Sequence, residues 1–214
     1  MNLMKKYFLG IVTFLSITLL TSSAYSGAGI SVILGEADTS GTESEKSGSV
    51  GPETNTKTIK ESFVGGSLFI EGDLGPFTIG FDWVPLDIDL GSGKRTDTTS
   101  DSNESTDDSG TYSASADMEN LLTLYVNYPI GPGYVLAGIH HADITTTEAL
   151  PNSTYPNDSV SGYQIGYGIK GDRFAAEVFY SDFDDVSLTS TSGSSKITGD
   201  ADVYGVKLKA SFGG

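Results

Sequence analysis

The sequence predicts an all-β fold: an eight-stranded antiparallel up-and-down β-barrel that crosses a membrane, behind a cleaved signal peptide. Three observations predict it. Segments of period-two alternation recur along the chain, each with one apolar and one wet face. The connections between them run long, short, long, short to the end of the chain. An export signal opens the chain, and no later window carries the apolar run of a membrane helix.

The signal peptide covers residues 1–26. Lys5 and Lys6 make a positive start, an uncharged apolar run follows from Tyr7 to Leu20, and Ala24-Tyr25-Ser26 offers a cleavage site. The apolar run is too short for a spanning helix. Residues 27–214 are then the barrel. Its first strand, from Ala28, places Ile30, Val32 and Leu34 on one face. The second, Ser62 to Gly72, aligns Val64, Leu68 and Ile70, and GDLGP makes a tight turn. Phe77, Ile79, Phe81 and Trp83 share a face of the third, whose phase is lost at Pro85. Leu122, Leu124, Val126 and Tyr128 mark the fourth. The fifth, Tyr134 to Ile144, has apolar residues in both phases, so its faces stay open.

The sixth strand sets Tyr163, Ile165, Tyr167 and Ile169 against Gln164 and Lys170. The seventh aligns Phe174, Ala176, Val178 and Tyr180. The last alternates Tyr204, Val206, Leu208, Ala210 and Phe212 with Gly205, Lys207, Lys209 and Ser211. Polar connections at about 39–60, 91–110, 145–159 and 184–199 read as four long external loops. A soluble sandwich has no reason to gather every long connection at one end, whereas a membrane barrel does. Aromatic residues near strand ends (Phe77, Trp83, Tyr128, Tyr134, Phe174, Tyr180, Phe212) suit interfacial girdles.

The aromatic-ended closing strand, with Gly205, Leu208, Ala210 and Phe212 at the spacing of a C-terminal assembly signal, resembles the last strand of bacterial outer-membrane β-barrels. Across residues 27–214 the strand pattern is similar to the small OmpA/OmpX-type family. That resemblance implies residence in outer-membrane lipid and recognition of the last strand by a barrel-assembly machinery. It also implies an interior nearly filled by side chains. Such a barrel is no general porin, and the resemblance implies roles from envelope structure to adhesion or passage of hydrophobic ligands.

The chain holds 12 basic and 28 acidic residues and no cysteine. A nucleic-acid partner is therefore not expected, nor a disulfide-stapled domain or a lipidated cysteine anchor. The adjacent His140 and His141 face opposite ways on a strand and cannot share a metal. Neither is followed by the His-x-Ser spacing of barrel-type lipid deacylases, so no catalytic residue, resident metal or cofactor is expected. The run from Asp101 lacks the glycine and distal glutamate of a calcium loop. Asp97, Asp101, Glu104, Asp107 and Asp108 still make an acidic rim that would gather divalent cations loosely or meet a basic surface partner. Inward charges at Asp82, Glu177, Lys207 and Lys209 must pair inside a narrow barrel, with Glu177 level with Lys207 and Lys209. The expected function is a non-enzymatic structural or surface-interaction role through acidic loops. The alternatives are a barrel that binds or passes a small hydrophobic ligand, which those inward charges oppose, and a lipid-modifying enzyme.

Overall fold

The structure, a computed structural model, describes residues 25–45, 53–97, 110–148, 154–191, 193 and 195–212. The expected signal peptide lies outside the described residues up to residue 24. Nine strands follow in chain order: β1 Tyr25–Glu45, β2 Glu53–Leu74, β3 Phe77–Val84, β4 Ile88–Asp97, β5 Gly110–Ile130, β6 Gly133–Glu148, β7 Asp158–Lys170, β8 Phe174–Thr189 and β9 Ser195–Phe212. Consecutive strands pair antiparallel except β3 and β4. β1 pairs with β9, for example Ile30 with Ala210, and β3 pairs with both β2 and β5, so the sheet closes on itself. β3 and β4 share one stave of the wall, which makes eight staves from nine strands. The break falls at Pro85, which has no N–H for a ladder bond.

The start of β1, the end of β9 and the short turns lie at one end of the barrel. Ala28 is opposite Phe212 there. Gly75 and Gly131 in the turns adopt φ values of 63° and 57°, a region where glycine alone meets no Cβ penalty. The strand ends that lead into the long connections lie at the other end.

The distribution of side chains is that of a protein dissolved in lipid. Ile30, Val32, Leu34, Ile165, Ile169, Val178 and Leu208 point outward and are exposed, while Ser31, Ser67, Gln164, Glu177, Lys207 and Lys209 are buried inside. Exposing such a belt to water would forfeit about 1.5–3 kcal/mol per large side chain. β6, whose faces the sequence left open, points Tyr134, Leu136 and His140 inward and Val135 and Ile139 outward. At Asn120 (φ 53°) a bulge interrupts the pairing of β5 with β6. The inward set shifts there from Thr123 and Tyr125 to Met118, as an extra residue requires.

Aromatic side chains edge the belt. Phe77 and Tyr128 (ring centroids 5.4 Å apart), Phe174 and Phe212 lie toward the short-turn end. Trp83, Tyr163, Tyr180 and Tyr204 lie toward the other. Tyr163 donates its hydroxyl hydrogen bond to Asp182 (2.9 Å), Tyr180 to Asp202 (2.6 Å) and Tyr204 to Glu36. Each ring thus sits in lipid while its oxygen reaches a polar collar. Tyr134 departs from the girdle expected of it: it is buried and turned into the lumen.

The external loops are shorter than 39–60, 91–110, 145–159 and 184–199. The β1–β2 ladder runs from Thr39 opposite Ile59 out to Glu45 opposite Glu53, and β8–β9 continues to Thr189 opposite Lys196. Beyond the bilayer both faces of a strand meet water, so the alternation that marks it disappears. The backbone ladder does not need that alternation and continues. With its 21 residues, β1 measures roughly 70 Å, far more than a hydrocarbon layer requires.

Candidate functional site

The lumen is divided into layers, and the lowest is a buried ion network. Lys209 forms salt bridges to Glu71 and to Glu177 Oε1 (3.3 Å), and donates to the Tyr125 hydroxyl (3.0 Å). Tyr125 donates in turn to Glu71 (2.7 Å), and Tyr134 donates to Glu177 (2.6 Å). Lys209 also lies over the rings of Phe69 (4.4 Å) and Tyr125 (4.8 Å). One rung higher, Lys207 Nζ stands 2.9 Å from Asp82 Oδ2. Lys170 reaches Glu71 from the rim at 3.8 Å.

Asp82, Glu177, Lys207 and Lys209, the four inward charges singled out in the sequence, are therefore all placed in this layer. Glu177 is opposite Lys207 in the ladder, but its ion pair is with Lys209. Sequence reasoning missed Glu71, Tyr125 and Tyr134. Glu71 stands in phase with the small inward Ser67, which was its available signal.

Two glycines make room for this network. A Cβ at Gly80 would stand 2.1 Å from the Tyr125 ring, and one at Gly168 would stand 2.3 Å from the Tyr134 ring. Each tyrosine lies flat across the neighbouring strand and delivers its hydroxyl to a carboxylate. Gly168→Val is therefore expected to push Tyr134 off Glu177 and cost about 1–3 kcal/mol. Urea unfolding of the vesicle-inserted protein checks it, and a loss no larger than that of Tyr134→Phe would refute the packing role.

Above the ions comes a hydrogen-bonded layer. His140 Nδ1 is 2.8 Å from the Thr123 hydroxyl and Nε2 is 2.9 Å from the Ser181 hydroxyl, to which Gln164 also donates (3.3 Å). A serine within reach of a histidine is the contact a nucleophile needs. Here the third group is a threonine hydroxyl instead of a carboxylate, and Ser181 is only 2% exposed. Phe183 stacks on His140 with ring centroids 5.2 Å apart. Neither Ser181 nor His140 lines the cavity of the layer above. His141 points the other way, with Nδ1 3.4 Å from Ser161 Oγ.

The third layer is apolar. Above Phe183 a cavity of about 550 Å³ is walled by Ile59, Leu90, Met118, Ile144, Val160 and Phe183. Glu43, Lys57, Lys94, Asp184 and Asp200 also line it, Asp184 next to Phe183 in the chain and Asp200 opposite Ser40. The ion network of Glu71, Asp82, Glu177, Lys207 and Lys209 shares no residue with this cavity. The cavity belongs to the strand extensions, where the sequence shows no alternation, and Ile59, Leu188 and Ile197 sit singly among polar residues there.

The outer collar is charged. The Lys60 ammonium is held above its ordinary range by its hydrogen bond to Asp38 (2.5 Å). The Asp117 carboxyl is pushed up by burial, then by Asp89 opposite it. Of the acidic rim candidates, Asp97 ends β4, and Asp101, Glu104, Asp107 and Asp108 lie outside the described residues. Among the described residues no three histidine or carboxylate groups converge as a metal site requires. Gly205 lies on the inner face against Leu34 and Gly35, and Leu208, Ala210 and Phe212 lie on the lipid face.

No protein-family model matches this chain, and no curated protein sequence does. Solved structures do. The chain is similar to the outer membrane protease OmpT from Escherichia coli at a TM-score of 0.51 and 10% identity, covering 90% of this chain and 99% of that one. The fold is that of a bacterial outer-membrane β-barrel. The outer membrane protein OprG from Pseudomonas aeruginosa aligns over 88% of this chain and 98% of its own, with TM-score 0.47 and 13% identity. Neisserial surface protein A covers 87% and 100%, with TM-score 0.40 and 10% identity. At these identities the likeness is one of fold, and an outer-membrane barrel fold serves unrelated activities.

Proposed function

We propose that this outer-membrane barrel holds a small hydrophobic molecule in the outer half of its lumen. The observation that carries the reading is the apolar cavity of about 550 Å³ above a polar floor. Its volume falls within the range of small-molecule sites, and its wall is mainly apolar with a few charged and hydroxyl side chains, as ligand pockets commonly are. The ion network beneath it closes the way to the short-turn end, so the molecule is held and not conducted straight through. This reading sets a lumenal role beside the loop-borne surface role expected of the acidic rim.

The test uses the signal-free chain refolded in detergent and titrated with the apolar fluorophore 1-N-phenylnaphthylamine. Saturable enhancement is expected, weakened about tenfold or more in Ile144→Asp, because a carboxylate would then line the apolar wall. Heat-modifiable migration verifies that the variant is folded. Absence of saturable binding by the unaltered protein would overturn the reading.

A further inference from the structure

The buried ions of the lumen do not balance. Glu71, Asp82 and Glu177 are each no more than 5% exposed, and the ammonium groups equally buried beside them are those of Lys207 and Lys209. Glu71 Oε1 already accepts from Lys209 and from Tyr125. For Glu71 Oε2 the cation at hand among the described residues is Lys170, which stands 3.8 Å away and is nearly half exposed. A surplus carboxylate in a narrow lumen is costly unless a cation meets it. The place where one is wanting is Glu71 Oε2.

The start of β1 holds a nitrogen at that place. The ladder sets Gly27 directly opposite Glu71, and opposed residues of an antiparallel pair have Cα atoms about 4.5–5.5 Å apart. Gly27 and Gly29 are buried in the inward phase of β1 and carry no side chain to stand between them and the network. A Cβ at Gly29 would run into the Phe69 ring, over which the Lys209 ammonium lies. The register also slips here. Tyr25 is opposite Gly72 and Gly27 is opposite Glu71, so two steps along β1 match one along β2. The Ser26–Gly27 bond lies inside that bulge, and it is the bond at which the export signal is expected to end. In the uncut chain its nitrogen is an uncharged amide.

We propose that hydrolysis of the Ser26–Gly27 bond supplies the missing lumenal cation, the new α-ammonium of Gly27 pairing with Glu71 Oε2. The catalyst is an endopeptidase of the export apparatus and the co-reactant is water. The water oxygen joins the Ser26 carbonyl carbon and the C–N bond breaks. Ser26 departs as a carboxylate, and the freed Gly27 nitrogen takes up protons, as an α-amino group does at neutral pH. A cut one residue away would move the charge about 3.4 Å along the strand and out of level with Glu71. Loss of the export segment and completion of the ion network are therefore one event. Until the cut, Glu71 keeps only the distant Lys170 for its second oxygen.

The test is a cycle of four proteins refolded in phosphatidylcholine vesicles: chains beginning at Gly27 or at Ala24, each with Glu71 or with Glu71→Gln. Beginning at Ala24 keeps the ladder and moves the ammonium three residues away. With Glu71 present, urea unfolding is expected to give the longer chain a folding constant about tenfold smaller. With Glu71→Gln the two lengths are expected to agree within about twofold. Equal constants for the two lengths with Glu71 present, or an undiminished length effect with Glu71→Gln, overturn the proposal. Should Glu71→Gln fail to fold, carbamylation of the Gly27 amine by cyanate decides, with a single adduct verified by mass. It is expected to reproduce the tenfold loss, and unchanged stability overturns the pair. Mass spectrometry of the protein extracted from outer membranes is expected to find Gly27 as the first residue. Any other first residue overturns the proposal, since no ammonium would then stand at Glu71.

Discussion

Replacing Lys209 with methionine is expected to be the most damaging single change in the lumen, at about 3–5 kcal/mol of unfolding free energy. The side chain is buried, and it neutralises Glu71 and Glu177 together while accepting the faces of Phe69 and Tyr125. Methionine preserves the volume and the contact with the rings but leaves two carboxylates without their cation. Lys170 reaches Glu71 only at 3.8 Å and is itself half exposed, so it compensates little. The triple change Lys209→Met, Glu71→Gln, Glu177→Gln should recover much of the loss, because no unpaired charge then remains buried. Urea unfolding in vesicles, read by tryptophan fluorescence and by gel mobility without boiling, measures both. If the triple variant were no more stable than Lys209→Met, the lysine would be acting through packing and not through charge.

Ile165→Arg is expected to cost about 2–4 kcal/mol, since Ile165 lies on the lipid face well inside the belt. It stands between Tyr163 and Tyr167 on the outward side of β7 and is 54% exposed, where the adjacent Gln164 is 4% exposed. The contrast between neighbours is the informative part. In single-cysteine variants, a lipid-phase probe should label position 165 and spare position 164. Preferential labelling at 164 would mean that β7 is inverted, and with it the closure of the barrel.

The structure also shows which features belong to local sequence and which to the closed sheet. In the belt, period-two alternation is a property of a few consecutive residues. Ile30 to Leu34, Tyr163 to Ile169 and Tyr204 to Phe212 therefore declared both their strands and their outward faces. The tight turns at Gly75 and Gly131 and the interruption at Pro85 were legible for the same reason, because backbone restriction acts within one or two residues. Inward charge at Asp82, Glu177, Lys207 and Lys209 was equally visible, and burial in a narrow lumen demanded that they pair.

Their partners were legible only in part: Glu177 was expected level with Lys207 and Lys209, and it pairs with Lys209. Which inward residues come level depends on the stagger accumulated around eight staves, and side-chain reach then selects Lys209 over Lys207 for Glu177. That stagger also brings Glu71 and Tyr125 to Lys209 from strands remote in sequence. Tyr134 looked like a girdle residue until the faces of β6 were assigned by its neighbours on both sides. Above the membrane the alternation ends, because water lies on both sides of the wall, so the sequence by itself determined a lipid-crossing barrel with charged contents. Only the tertiary structure decided that the strands run on and that their scattered apolar residues meet in a cavity. Those outcomes follow from distant residues brought to one height by closure of the sheet, and no local pattern encodes that height.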